Sequence, residues 1–332
     1  MNLLTGGHFL MIKKKFHTLS KVTLATILSV SLILPASAIG ASDTVAPIKQ
    51  AVAAPIKLKT ITINSTSYAE LKQVSIIPGN EGKVVSFTYS IYNGSKSDLQ
   101  FIDYWARVQS KSGARYSVKL ITQDKEKNSI APLTRQDFTF YSTVGSNVVI
   151  EDLIFQFIKW DFTQSDFERT LGQITIPAGY KNEIATGAYG SIDVNGVAVH
   201  IKVNNALVNK NDNAYLVNAE VELINTGNRS VTPPGYAFYV LTTEGIIYQL
   251  SGSTEGLALQ PREAKKINVS GSIPSTIKSG GWKLVMAIQE TTPKLDIPIA
   301  TFHIPDSTDG FAPDTSEKGI LDIDSVPVET GI

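Results

Sequence analysis

An all-β fold is what the sequence predicts, arranged as two β-sandwiches in tandem with about seven strands each. Three observations predict it. Short apolar runs recur throughout the body of the chain, separated by Gly, Pro, Asn and Ser. Within those runs apolar and polar side chains alternate, the period-two signature of a half-buried strand. And the second half of the body repeats the turn residues of the first at a nearly constant spacing.

The N-terminus precedes the fold and reads as an export signal. Lys13, Lys14, Lys15 and Lys21 make a positive leader, Val22 to Leu34 is an apolar run, and Ala36-Ser37-Ala38 is a small-residue cleavage signal. Residues 1–38 are therefore expected to be a signal peptide, with Met11, immediately ahead of the lysines, as the expected true start. The apolar run is too short to span a bilayer comfortably, so no membrane insertion is expected after cleavage. The expected location is outside the cell, free or associated with the wall. Residues 39–60, in which Ala-Pro-Ile-Lys occurs twice, read as an extended linker.

There are no cysteines, which excludes a disulfide scaffold and a lipid anchor attached through a thiol. Lysine plus arginine and aspartate plus glutamate each number 30. Without the leader the balance is −4, and the stretch from Asp306 onward alone carries −6, so residues 306–332 read as a disordered acidic tail. No basic stripe remains in the body, which argues against a nucleic-acid partner, because phosphate neutralisation needs clustered cations.

The two sandwiches are expected over 61–179 and 180–305. In the first, Val85, Phe87, Tyr89 and Ile91 alternate with Ser86, Thr88 and Ser90, and the strand stops at Asn93-Gly94-Ser95. In the second, Val217, Ala219, Val221 and Leu223 alternate with Asn218, Glu220 and Glu222 and stop at Asn225-Thr226-Gly227. Asn93 and Asn225 stand 132 residues apart, as do Gly113 and Gly245, and Tyr116 and Tyr248. Arg135 pairs with Arg262 at 127 and Ile174 with Phe302 at 128, which implies a few residues lost from a loop and a tandem duplication. Helix content is expected to be small. Residues 150–172 read as a buried strand followed by a short helical turn.

The order of strand, Asn-Thr-Gly-Asn turn, aromatic strand, Gly turn, Tyr strand, Pro-Arg-Glu and Trp-bearing strand resembles the immunoglobulin-like modules of exported Gram-positive bacterial proteins, of the mycobacterial secreted-antigen type. The cysteine pair and strand-C tryptophan of antibody domains are absent. Trp105 fits that tryptophan's place in the first half, where Tyr236 or Phe238 stands in the second. The resemblance implies a fold and an extracellular setting, and no activity.

No catalytic or metal constellation stands out. The mature chain's two histidines, His200 and His303, lie in strand-like runs without neighbouring ligands. Asn209 to Glu220 mimics a calcium-loop spacing but has Ala214 where a sharp turn needs Gly. Gly252-Ser-Thr-Glu-Gly256 lacks the strand-turn-helix setting of a nucleophile elbow. The expectation is a non-enzyme without metal or cofactor, acting as a binding or structural protein through loops or sheet edges, its partner a surface protein or wall glycan. The alternatives are a carbohydrate-binding accessory protein and, third, a hydrolase with an unrecognised site. The candidate ligand-binding residues are the aromatics Tyr104, Trp105, Trp160, Tyr236, Tyr239 and Trp282, although aromatics at period-two spacing mostly pack in cores.

Overall fold

The computed structural model describes residues 58–306, all within one compact unit. The expected signal peptide, residues 39–57 of the expected linker and the expected tail beyond 306 lie outside the described residues. The end of the expected linker is structured: Leu58 is buried, and the first strand opens at Thr60.

The first half of the body contains β1 (Thr60–Thr62), β2 (Tyr68–Gly79), β3 (Gly82–Asn93), β4 (Leu99–Gln100), β5 (Tyr104–Ser110), β6 (Arg115–Tyr116), β7 (Lys119–Leu120), β8 (Ser129–Ile130), β9 (Thr134–Val144), β10 (Leu153–Trp160) and β11 (Glu168–Thr175). The second contains β12 (Glu183–Ile184), β13 (Gly190–Val194), β14 (Val197–Lys210), β15 (Ala214–Asn225), β16 (Tyr236–Leu241), β17 (Ile247–Gln249), β18 (Ala264–Pro274), β19 (Lys283–Thr291) and β20 (Lys294–His303). They form sheet I (β1-β2-β3-β9-β7), sheet II (β11-β10-β5-β6), sheet III (β12-β20-β19-β16-β17), sheet IV (β13-β14-β15-β18) and a ribbon of β4 and β8. Pairing is antiparallel except between β12 and β20. The protein is all-β, and the described residues hold no α-helix, only single 3₁₀ turns such as Phe101–Asp103. The helical turn expected after residue 160 is instead β11, hydrogen-bonded to β10 as a hairpin.

The same irregularities occur in both halves. One extra residue bulges from β2 at Lys72 and from β14 at Asn204, 132 apart. Another bulges from β11 at Leu171 and from β20 at Ile299, 128 apart. Asn93 and Asn225, both fully buried, perform one task at the ends of β3 and β15. The Asn93 amide donates to the carbonyls of Ser97 and Ile130, each at 2.8 Å, while its Oδ1 accepts from the Ser95 N–H at 3.0 Å. Asn225 donates to Arg229 at 2.8 Å and Leu259 at 3.1 Å and accepts from Gly227 at 2.9 Å. Each asparagine thus ties a strand end to its own turn and to a distant segment, and its own buried amide is fully hydrogen-bonded. The structure corrects two sequence pairings. Arg135 faces Tyr92 where Ala264 faces Ile224, so the counterpart of Arg262 is Leu133, and both have left-handed φ. Trp105 faces Ile158 where Ala237 faces Ala287, so its counterpart is Ala237 and that of Tyr104 is Tyr236.

The apolar faces of sheets I and II meet in one core, rich in stacked aromatics such as Phe87 against Phe140 at 5.5 Å. Those of sheets III and IV meet in a second, which also recruits Ile77, Val84, Ile121 and Tyr141 from the first half. The reason is that the other face of sheet I packs on sheet III, β2 and β3 lying against β20. Ser86, Thr88 and Ser90, expected to face solvent from a half-buried strand, are buried there. Their hydroxyls are accommodated by hydrogen bonds, Ser86 to the Pro298 carbonyl and Thr88 to Thr139 at 3.0 Å.

Buried ions close the same seam. The Lys127 ammonium lies 2.7 Å from both Asp124 and Asp193, and it donates to the Asp137 carbonyl at 3.0 Å. Burial pulls its pKa down, but the two carboxylates outweigh burial and hold it above the ordinary lysine range. Glu290, from the second half, accepts from the N–H and hydroxyl of Thr122, both at 2.6 Å.

Two tests follow from the cores. The Tyr89 hydroxyl is buried without a partner. Tyr89→Phe removes an uncompensated polar group, so a stability gain of about 1 kcal/mol is expected as a higher urea midpoint. A lower midpoint would show that the hydroxyl contributes. Burial also raises the Tyr89 and Tyr236 phenols far above the usual value near 10. A folded-state pKa above the unfolded one gives stability that is present below about pH 10 and lost as pH rises further. These phenols should therefore ionise only with unfolding, seen as a cooperative rise in phenolate absorbance coincident with loss of the β-sheet circular dichroism signal.

Candidate functional site

The six aromatics singled out in the sequence do not form one site. Tyr104, Tyr236, Tyr239 and Trp282 are buried and offer no face to a ligand. The Trp282 indole N–H is bound to the Lys278 carbonyl at 2.9 Å, and the Tyr239 hydroxyl lies 2.7 Å from Asp296. Trp105 is half-buried, edge-on to Phe140 at 5.5 Å. Trp160 is half-buried under the Arg107 guanidinium, 5.3 Å from its ring centroid, and Arg107 is in turn paired with Glu168. Four of the six are thus corrected to packing residues, while Trp105 and Trp160 keep part of their surface exposed.

The other sequence candidates are occupied in structural roles. Thr254 is buried, its hydroxyl donating to the Pro234 carbonyl and accepting from the Tyr236 N–H at 2.7 Å. Asn211 closes an ordinary turn by accepting from Asn213 and Ala214, and Glu220 pairs with Lys266 at 2.9 Å. His200 is on β14 and His303 on β20, in different sheets.

The surface that stands out is the end of the first half where β10 turns into β11. The turn is rigidly built: the Asp161 N–H donates to the Phe167 carbonyl at 2.8 Å, the Phe167 N–H to Gln164 at 3.1 Å, and Asp161 Oδ1 accepts from the N–H and hydroxyl of Thr163. Those bonds hold the Asp161 carboxyl below its ordinary range, so it stays ionised. Phe162 and Phe167 project from this turn with 81% and 55% of their surface exposed, ring centroids 6.1 Å apart. Two more apolar side chains share this end. Ile102, 73% exposed, lies in the 3₁₀ turn Phe101–Asp103 that leads into β5, whose first residue, Tyr104, pairs with Lys159 near the end of β10. Leu133, 68% exposed, precedes β9, whose first residue pairs with Asn93 at the end of β3.

Two of the four stand in a conformation that disfavours them. Phe167 and Leu133 both have φ of 57°, the left-handed region that suits Gly or Asn. A bulky apolar residue there carries a conformational cost and an exposure cost. The sequence held a signal for this surface: in Asp161-Phe-Thr-Gln-Ser-Asp-Phe167 two aromatics sit among residues typical of a turn. The rim of this end is acidic, with Asp103, Asp161 and Asp166 beside the apolar tips, while the cations Lys159 and Arg169 lie one step back along the strands.

No family model matches the chain, and no curated protein matches it.

Proposed function

We propose that the chain is an exported, non-catalytic binding or structural protein acting at or outside the cell surface, and that its contact surface is the apolar loop end of its first half. The observation that carries this reading is the exposed ring pair of Phe162 and Phe167 on the β10–β11 turn, with Ile102 and Leu133 exposed on two further connections at the same end of the sheets, and with Phe167 and Leu133 in left-handed backbone. Loops on a rigid β scaffold are where recognition is commonly placed. The lysine-rich leader and small-residue cleavage signal support export. We read residues 61–179 and 180–305 as two copies of one immunoglobulin-like module; the paired bulges and the shared role of Asn93 and Asn225 support a duplication.

The test is retention of residues 39–332 on immobilised cell-surface proteins and on purified wall glycan. Wild-type retention on the proteins, reduced at least tenfold in the Phe162→Ser, Phe167→Asn variant, is expected. A second reading, binding to glycan, draws on the exposed ring pair beside carboxylates, since sugar rings stack on aromatics and their hydroxyls donate to carboxylates. Retention on glycan alone, lost in the same variant, would favour it. Retention that the variant leaves unchanged would remove the loop end from the function.

A further inference from the structure

We propose that the seam between the two halves contains a binding site for one ordered water molecule, held by Gln123 of the first half and Tyr236 of the second. The site is a small recess of about 20 Å³ beside the Lys127 cluster, with Gln123, Asp124, Lys127, Asp193 and Tyr236 in its polar wall. Two polar groups end there without a partner. Gln123 stands in the 3₁₀ turn Thr122–Asp124, and its buried Nε2 makes no hydrogen bond to the described residues. Tyr236, 1% exposed, opens β16 opposite Ile288, which also lines the recess. Its backbone N–H is bonded to Thr254, but its hydroxyl is bonded to no described residue. Asp124 and Asp193 both act on that phenol and help burial to raise its pKa, which places the hydroxyl end of the ring at the recess.

Size and charge together select the ligand. A water needs at least ~10–15 Å³ and two to four polar partners, so the recess admits one and excludes anything much larger. Among species of that size, an anion would sit against Asp124 and Asp193. A cation would face the Lys127 ammonium, itself 2.7 Å from both carboxylates, and the Gln123 N–H as well. Water is neutral and both accepts and donates. It can take the Gln123 N–H and the Tyr236 O–H and turn its own hydrogens to the carboxylates of the wall. The other unpartnered phenol is different: Tyr89 lies among the rings of Phe87, Phe140 and Phe157, and apolar surroundings stay dry. Because Gln123 and Tyr236 belong to different halves, the water is one of the bonds between them, beside Lys127 with Asp193 and Thr122 with Glu290.

The experiment compares urea unfolding of four proteins: wild type, Tyr236→Phe, Gln123→Met and the double variant. Each single substitution removes one bond to the water and should lower the midpoint. The double variant should lose less than the sum, because the second substitution acts on a site that has already lost its water. In a dry recess both substitutions would delete uncompensated polar groups, as Tyr89→Phe does. Midpoints that rise or stay unchanged in the single variants therefore overturn the proposal, and so do losses that simply add. A crystal structure of the wild type gives the direct view. One density peak is expected at about 3 Å from both Gln123 Nε2 and Tyr236 Oη. A recess without density overturns the proposal. So does a peak that anomalous scattering identifies as rubidium or bromide after soaking, which would assign the site to an ion.

Discussion

Lys127→Ala should lower the unfolding free energy by about 3–5 kcal/mol, the cost of leaving buried carboxylates without their counter-charge. The ammonium is the only cation bonded to both Asp124 and Asp193 among the described residues, and all three side chains are largely shielded from water. Replacing the group as a whole, Lys127→Met with Asp124→Asn and Asp193→Asn, should recover much of the loss, because the penalty comes from uncompensated charge and not from the absence of an ion pair. The three tryptophans report from both halves, Trp105 and Trp160 from the first and Trp282 from the second. In urea, fluorescence and circular dichroism should fall together in one transition, and Lys127→Ala should move that whole transition. A shift confined to one half would mean that the seam does not couple them.

Asn225→Ala should be nearly as damaging, with a loss of about 3 kcal/mol. The substitution removes the donor to the Arg229 carbonyl and the acceptor for the Gly227 N–H, leaves the Leu259 carbonyl with only the Val231 N–H at 3.0 Å, and empties a fully buried side-chain site. Asn93→Ala should behave alike through Ser97, Ile130 and Ser95. Asn225→Asp is the informative companion: it keeps the acceptor for Gly227 but sets a carboxylate against two carbonyls. If equilibrium unfolding shows Asp tolerated and Ala damaging, acceptance at Oδ1 is what matters; the donor bonds predict that both are damaging.

What could be read from the sequence was whatever is local. Alternation in Val85 to Ile91 and in Val217 to Leu223 marked the strands, and the Asn-containing turns that close them proved to be buried posts. The rest depended on tertiary context. Ser86, Thr88 and Ser90 look like a solvent face because hydroxyls usually are one; they are interior because this face of sheet I is covered, with Ser86 donating to the Pro298 carbonyl of β20, Thr88 bonded to Thr139 and Ser90 to Arg135. Arg135 and Arg262 looked equivalent because identity of residue type is visible in a sequence and left-handed φ is not; Leu133 and Arg262 share the latter. The conspicuous aromatics drew attention to core positions, since ring chemistry alone does not distinguish a binding face from packing. Phe162 and Phe167 were less conspicuous, being phenylalanines in a turn, although their turn setting was the better guide to exposure.

The strip that covers sheet I, Ile297 to Ala300, belongs to β20, the final strand before residue 306. During synthesis every other layer of the body is made before its lid exists. The first half must therefore wait, with a hydroxyl-lined wall uncovered, until nearly the whole chain has emerged. Loss of a dozen residues at the end of the body would thus injure the part made first, and quality control acting on such a truncated product would see damage far from the break.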